Sequence, residues 1–507
     1  MNKLKTIDKS KLFRNFFLIF LIFQPFLDCH LLYSDEVINF FGFSPTTILR
    51  IIIIAIYSLV VFIKKKNTRK TITIYGILVL IYAIFHHFTG SSIDDNLIYH
   101  TFKYSITDEL FYLLRMLMPV GVIYIVYNLE YTKEELKYVI KYSALAMSLI
   151  LIILNITGTA LTSYSYNTKV ILGSILDWFN SDISNYDLAS KGWFNSANQI
   201  SATMIIFMIT MIYYTIIKTK RSDIIIVILL TLSSMMIGTR TSTTIVVYLV
   251  FFMLIGYTIV SSIQEHKFSL NKKQIIYSII IATTSIIFYG IAPIGHCQSE
   301  NNYACLFNID TGLNSEELIE VDKDLEYDGN TCEFIPKTPT HEQYYEDLYP
   351  CEENIEFWDS FAKQKIYEYA NNRTMEVIIA KDVYNKIETP QINLLGMSRS
   401  RFLSAEFYIE KDIYVHYYTM GIVGIILLII IPYITPCIIL IYKIIKTKKI
   451  DYFELCLAFT IALIFAAAYL SGHILDELIA TLYLGFITGI LCENIHKNKI
   501  KKWIIIK

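Results

Sequence analysis

Several ionisable side chains stand where apolar runs of membrane length end, and their types suit phosphate binding and proton transfer. Arg240 lies in Ile237-Gly238-Thr239-Arg240-Thr241-Ser242, a short polar turn between two such runs. Arg115, in Leu113-Leu114-Arg115-Met116, sits inside another run. Arg373, Arg399 and Arg401 fall in a long polar stretch, and Glu410 and Asp412 stand where the next run begins. His473, in Ser471-Gly472-His473 followed by Asp476 and Glu477, occupies the turn between the last two runs, and Asn198 opens an earlier one. Charged groups at such depths are costly in hydrocarbon and are functional candidates by default. Guanidinium groups in a dry setting hold phosphate oxygens through paired donors. A partly buried carboxylate with a raised pKa can take a proton from a hydroxyl. The competing reading of Arg240 is an interfacial arginine reaching for lipid headgroups. The glycine, threonines and serine around it build a cavity instead.

The elements that must position these residues are transmembrane helices. The chain has 507 residues, of which 54% are hydrophobic, more than a soluble globule of that length needs. A helix crosses the hydrocarbon core with about 20 apolar residues. Twelve stretches qualify: 12–32, 44–63, 71–89, 108–127, 138–157, 196–217, 223–238, 242–263, 274–294, 411–442, 452–470 and 476–493. The seventh is short and must stand upright or end in a polar cavity. Lysines and arginines gather at 64–70, 218–221, 267–273, 443–449 and 497–502. With twelve spans all five clusters, and both termini, fall on one side, which the positive-inside rule makes cytoplasmic. The expected fold is an all-α polytopic membrane protein of about twelve transmembrane helices in the cell membrane, with one large extracytoplasmic loop.

That loop divides the chain into helices 1–9 (1–294), the loop itself (295–405), and helices 10–12 with a cytoplasmic tail (406–507). Residues 296–359 carry seventeen carboxylates against two lysines, while 360–405 carry four against seven bases. The first part reads as a solvated acidic lid. Its four cysteines, Cys297, Cys305, Cys332 and Cys351, form an even set outside the membrane and predict two disulfides in one of three connectivities. Zinc is the rival, but short Cys-x-x-Cys pairs are missing and His296 and His341 are isolated. No metal site is expected. In the second part, Trp358, Phe361, Ile366, Tyr369, Met375, Val377, Ile379 and Val383 recur with helical period over Phe357–Tyr384, which predicts one amphipathic helix along the membrane. A basic segment on the outer face suits an anionic ligand at the membrane surface, such as a lipid-linked phosphate.

Taken in order, these pieces resemble the O-antigen ligase / Wzy-type polysaccharide polymerase superfamily over about Lys191 to Leu491. Gly192-Trp193-Phe194-Asn195-Ser196-Ala197-Asn198 resembles its Gly-aromatic-Asn motif, and Gly238-Thr239-Arg240-Thr241-Ser242 its Ser/Thr-Arg turn. Asn372-Arg373-Thr374 followed by Leu395-Gly396, then Gly421-Ile422-Val423-Gly424, resemble the loop arginine and the Gly-x-x-Gly helix, and Ser471-Gly472-His473 a small-Gly-His turn of Gram-positive members. The resemblance implies a GT-C-like bundle and an inverting, metal-independent, cofactor-free glycosyltransferase acting on polyprenyl-diphosphate-linked sugars outside the membrane. In ligases a histidine just before the helix that follows the loop activates the acceptor. Glu410 stands about there in this chain, with His416 six residues further on.

That departure points to a polymerase. Arg240 and Arg373 are expected on the diphosphate with Arg399 or Arg401 assisting, Glu410 as general base, and Asp412 orienting the sugar or supporting Glu410. Asn198, Arg115 and His473 are further cavity candidates. The implied partners are the lipid-linked glycan, the bilayer, a flippase and a chain-length regulator, with no nucleic acid. The alternatives are ligase-like transfer to a lipid, wall or protein acceptor, a lipid-linked oligosaccharide flippase, and a non-enzymatic scaffold. A transporter is expected to show internal repeats with helices broken at the midplane, and no repeat is visible.

Overall fold

A computed structural model describes residues 9–29, 36–37, 40, 44–97, 102–164, 169–179, 185–265, 270–292, 327–338, 348–368, 372–404 and 409–505. Helices make up nearly all of it, because backbone that crosses hydrocarbon must satisfy its own hydrogen bonds. The long ones are α1 (Lys9–Phe23), α2 (Pro45–Lys64), α3 (Lys66–Ser91), α4 (Ile106–Leu129), α5 (Lys133–Ile156), α6 (Ala197–Lys218), α7 (Arg221–Ile237), α8 (Arg240–Glu265) and α9 (Lys272–Ile291). After the loop helices α10 (Ile355–Lys363), α11 (Asn372–Lys386) and α12 (Arg399–Ser404) come α13 (Asp412–Ile425), α14 (Thr435–Thr447), α15 (Tyr452–Leu470) and α16 (Leu478–Ile505). Polar caps start several of them. Thr132 and Glu135 form a capping box on α5, Asn271 and Gln274 one on α9, and Asp451 caps α15.

Eleven segments among the described residues are long and apolar enough to cross a membrane. The remaining expected span is α7, whose 17 residues reach only about 26 Å. It stops at Gly238, in left-handed conformation (φ 71°), inside the polar turn that carries Arg240. At the centre, α6 is buried on every face, and its Thr203, Thr210 and Thr215 hydroxyls bond back to carbonyls one turn earlier. Helices α4 and α16 pack along their length. Gly485 and Gly489 of α16 face Pro119 and Val126 of α4 with no room for a side chain, the small-residue contact usual between membrane helices.

Ion pairs tie the lysine-rich loops into one end of the bundle: Lys65–Glu130 (3.3 Å), Lys133–Asp451 (3.2 Å), Lys141–Asp223 (3.1 Å) and Lys443–Glu454 (2.5 Å). At the opposite end Arg50 grips Asp28 through both oxygens (2.8 and 2.9 Å). There too a small antiparallel hairpin, Leu161–Thr162 with Ser190–Gly192, lies over the end of α7, and Ser163 and Tyr164 donate to the carbonyls of Ile237 and Gly238 (both 2.6 Å).

Two expectations change. The predicted amphipathic helix over Phe357–Tyr384 is two helices, α10 and α11, parted at Lys365 (φ 52°) and a 3-10 turn over Ile366–Glu368. Trp358, Phe361, Met375, Ile379 and Val383 pack with Phe102 and Phe334 and with Val415 and Tyr418 of α13 into a second core, separate from that of the helix bundle. Apolar period reports that a face is buried, not against what. One disulfide, Cys332–Cys351, staples this core; Cys297 and Cys305 lie outside the described residues.

The second change is the span expected at 411–442. It runs Asp412–Thr447 but is broken at Gly421 (φ 66°, ψ −179°) and then passes through a π-helical stretch over Ile426–Ile434.

Candidate active site

The break in α13 admits a loop. Gly396 (φ 82°) and Gly421 lie back to back, so that a Cβ on either would overlap the other strand's backbone. The N–H groups of Met397 and Ser398 then bond the carbonyls of Tyr418 and Thr419 (2.8 and 3.0 Å), satisfying groups that the broken helix leaves open. This loop leads into α12, which begins at Arg399.

Arg399 is 5% exposed. Its guanidinium lies over the Tyr112 ring (5.8 Å) and bonds Asp476 Oδ2 (3.4 Å), while its Nη1 has no hydrogen-bond partner among the described residues. Arg115, from α4, donates to the Asp476 carbonyl (2.8 Å) and reaches Glu477 Oε2 (3.4 Å). Gln199, in the first turn of α6, donates to the same oxygen (3.1 Å). His416, one turn into α13, bonds the Tyr112 hydroxyl through Nδ1 (2.9 Å) and leaves Nε2 without a partner. The Nε2 of His473, Oδ1 of Asp476, Nε of Arg115 and Oε1 of Gln199 are likewise buried and unspent.

The turn that presents Asp476 and Glu477 is held from below. Asp412 accepts from the N–H groups of His473, Ile474 and Leu475 (2.8, 2.9 and 2.8 Å). Gly472 lies so close to the backbone of Glu410 that a Cβ would overlap its carbonyl. His473 itself takes a left-handed backbone (φ 59°), strained for a residue of its size.

Burial pushes the Asp476 carboxyl up, but Arg399, then His473, Arg115 and His416, outweigh it and hold the group below the ordinary carboxylate range. For Glu477 burial wins. Against the pull of Arg115, and helped by the charge of Asp476, it raises the carboxyl from 4.5 to about 7. His473, Asp476 and Glu477 bring one ligand atom each within 4.8 Å of one another, a spacing that can hold a metal ion. Arg399 and Arg115 already engage the two carboxylates, so the trio is better matched to cationic side chains than to a divalent ion.

A family profile described as O-antigen ligase like membrane protein matches residues 10–498. The chain belongs to the O-antigen ligase-like family of membrane proteins. No curated protein and no solved structure matches the sequence. Membership gives the chain a role in glycan transfer at a membrane and covers the first half of the chain, which the sequence motifs did not reach.

Within this O-antigen ligase-like protein the expected residues separate into four groups. Arg399, Arg115 and His473 meet in the cluster just described. Arg373 and Glu410 form an ion pair with each other beside it, and the Glu410 N–H also donates to Glu376 (2.6 Å). Arg240 is exposed at the first residue of α8, above a turn in which Thr239 bonds Ser201 (2.6 Å) and Ser242 (2.9 Å); Asn198 is half-buried nearby on α6. Lys191, in the hairpin, is buried and its ammonium pushed down to about 8 by desolvation.

Arg401 and Asp412 are spent on structure. Arg401 is fully buried and donates to the carbonyls of Gly90, Ile93 and Phe102 and to Asp95 Oδ1 (2.7 to 3.0 Å). Its separation of two from Arg399 along α12 turns it to the far side, where it clamps the 90–102 segment. Asp412 has given both oxygens to the 473–475 turn. The residues that sequence reasoning missed as a site, Tyr112 and Gln199, look from sequence like an interfacial aromatic and a helix-start polar residue. Only the meeting of α4, α6, α12, α13 and the turn before α16 distinguishes them.

Proposed function

We propose that this protein transfers a glycan from an isoprenoid-diphosphate donor to a sugar hydroxyl at the outer face of the cell membrane, extending a surface polysaccharide. The positive-inside rule sets the lysine-rich end and both termini in the cytoplasm, so the Arg399–Asp476–Glu477 cluster faces outward. That cluster carries the reading. Two guanidinium groups and two carboxylates share one setting, Arg399 buried and the other three part-buried, and several of their donors and acceptors remain unspent among the described residues. Arg399 and Arg115 counter the charge that grows on the leaving diphosphate, where fixed cations in a dry cavity act most strongly.

The acceptor oxygen attacks the anomeric carbon from the face opposite the diphosphate. The anomeric C–O bond breaks, its electron pair leaves with the diphosphate, and the configuration inverts. The hydroxyl proton passes to Glu477, whose raised pKa suits a base near neutrality better than the rim position of Glu410, paired with Arg373. Arg240 and Arg373, more exposed, serve the approach of the lipid-linked substrate. No metal or cofactor takes part in this scheme.

A second reading, transfer of finished glycan to a lipid, wall or protein acceptor, is favoured by His416. It stands on the helix that follows the loop, near where ligases of this resemblance carry their base, with Nε2 unspent toward Arg399 and Asp476. Deletion followed by analysis of lipid-linked glycans separates the two. Accumulated single repeats support chain extension, accumulated full-length lipid-linked polymer supports the second reading, and an unchanged pool counts against both.

A further inference from the structure

Arg399 can act on a diphosphate only if its backbone is fixed, and the residues that fix it lie in two membrane helices. Glu109 of α4 is 2% exposed and His86 of α3 is fully buried. Glu109 Oε2 accepts from the Ser398 hydroxyl (2.5 Å) and from the Ser400 N–H (3.0 Å), the residues on either side of Arg399. Its Oε1 meets His86 Nε2 (2.7 Å), and His86 Nδ1 meets the Leu395 carbonyl (2.5 Å). Tyr82 stacks on the imidazole (5.3 Å) and donates to the Met420 carbonyl (2.8 Å), at the break in α13.

The hydrogen bonds define a proton. A carbonyl and a carboxylate both accept, so neither neutral imidazole tautomer can serve both contacts against an ionised Glu109. The pair therefore holds one proton more than separate Glu− and neutral His. It sits either on His86, as an imidazolium, or on Glu109, donating to Nε2. In both forms the pair is neutral overall, which is what burial among helices demands. Ser398 is held at φ 88°, strained for a residue with a side chain, and the bonds it donates to Glu109 Oε2 and to the Thr419 carbonyl help to keep it there.

We propose that Glu109 and His86 are a positioning pair for Arg399, acting on transfer only through the loop that carries it. This rests on the glycan-transfer reading above. The pair touches no reacting atom. It sets the entry into α12, so that the guanidinium of Arg399 meets Asp476.

The test is a double-mutant cycle on the full-length protein in proteoliposomes, with a lipid-linked oligosaccharide donor and turnover followed by released isoprenoid diphosphate. Glu109→Ala is expected to lower kcat about 10- to 100-fold, the cost of a misplacement near 1 Å, with a smaller change in KM. In an Arg399→Ala background the same substitution is expected to cost less than about 2-fold, because the residue it positions is gone. Glu109→Gln should restore most of the rate. Its amide oxygen still accepts from Ser398 and Ser400, and its N–H donates to a neutral His86.

Multiplied losses in the double variant, or failure of Glu109→Gln to recover the rate while folding normally, overturn the positioning role. If Glu109→Ala does not reach the membrane, Ser398→Ala replaces it in the cycle, with the same non-additivity expected and the same additivity refuting. Parent-like transfer by Arg399→Ala alone would instead refute the glycan-transfer site itself, so the two failures are distinguishable.

Discussion

The raised pKa of Glu477 gives the proposed chemistry a pH signature. A base must be deprotonated to act, so the rate rises with pH through the value of the free enzyme, about 7. A single group at that value is about one-tenth ionised at pH 6 and about nine-tenths at pH 8, so kcat/KM should fall about 10-fold between them and about 100-fold by pH 5. An ordinary glutamate at 4.5 would leave the rate flat over most of that range. The neighbours set the direction of further shifts. Arg115, 3.4 Å from Glu477, favours the charged form, so Arg115→Gln should move the acid limb to higher pH by about 1 to 3 units. Asp476 disfavours it, so Asp476→Asn should move the limb to lower pH by a comparable amount. The assay is the pH profile of kcat/KM for release of isoprenoid diphosphate in proteoliposomes. Glu477→Gln should lose about 10² to 10⁴ in rate and the limb with it. A limb that survives Glu477→Gln, or that moves the same way in both neighbour variants, refutes Glu477 as the base.

Other substitutions separate chemistry from scaffolding. Glu410→Gln breaks a part-exposed pair with Arg373 and should cost less than about 10-fold in transfer, with about 0 to 1 kcal/mol of stability, measured by turnover and thermal unfolding in detergent. Arg399→Gln should leave thermal stability near the parent and abolish most transfer. Two residues on, Arg401→Gln should do the reverse first, since it strips donors from buried carbonyls at about 1 to 3 kcal/mol each. Gly472→Ala forces a methyl into Glu410 and should cost about 1 to 3 kcal/mol with loss of transfer, read by unfolding and turnover together. Cys332→Ser, opening a link across 19 residues, should destabilise the outer core by about 3 kcal/mol, seen as faster hydrogen exchange at Trp358 and Phe361.

The helical membrane architecture was legible because lipid imposes helices on whatever crosses it, and apolar length marks where they run. The short seventh span was legible too, since its 17 helical residues cannot reach across without a polar end. Arg115 and Arg240 were singled out by a related argument, that a cation within or beside an apolar run needs a reason. What sequence could not supply was partnership. Arg399 and Arg401 are indistinguishable in Ser398-Arg399-Ser400-Arg401, yet one faces Asp476 and the other three carbonyls. Glu109 follows the Ser105 cap of α4 and passes for an ordinary first-turn acid, although it reaches 291 residues along the chain to Ser400. The apolar period of 357–384 was real, but it belonged to a packed outer core, where Tyr349, Trp358 and the disulfide supply the partner that the membrane was expected to be.

The account depends on a bond being broken at the Arg399–Glu477 cluster. Purified protein in proteoliposomes, given lipid-linked single repeats on the outer side, should release isoprenoid diphosphate and build longer lipid-linked glycan, and Arg399→Ala should slow both by about 10²- to 10³-fold. Lipid-linked repeats that cross the bilayer intact, with no diphosphate released by the parent protein, would contradict it.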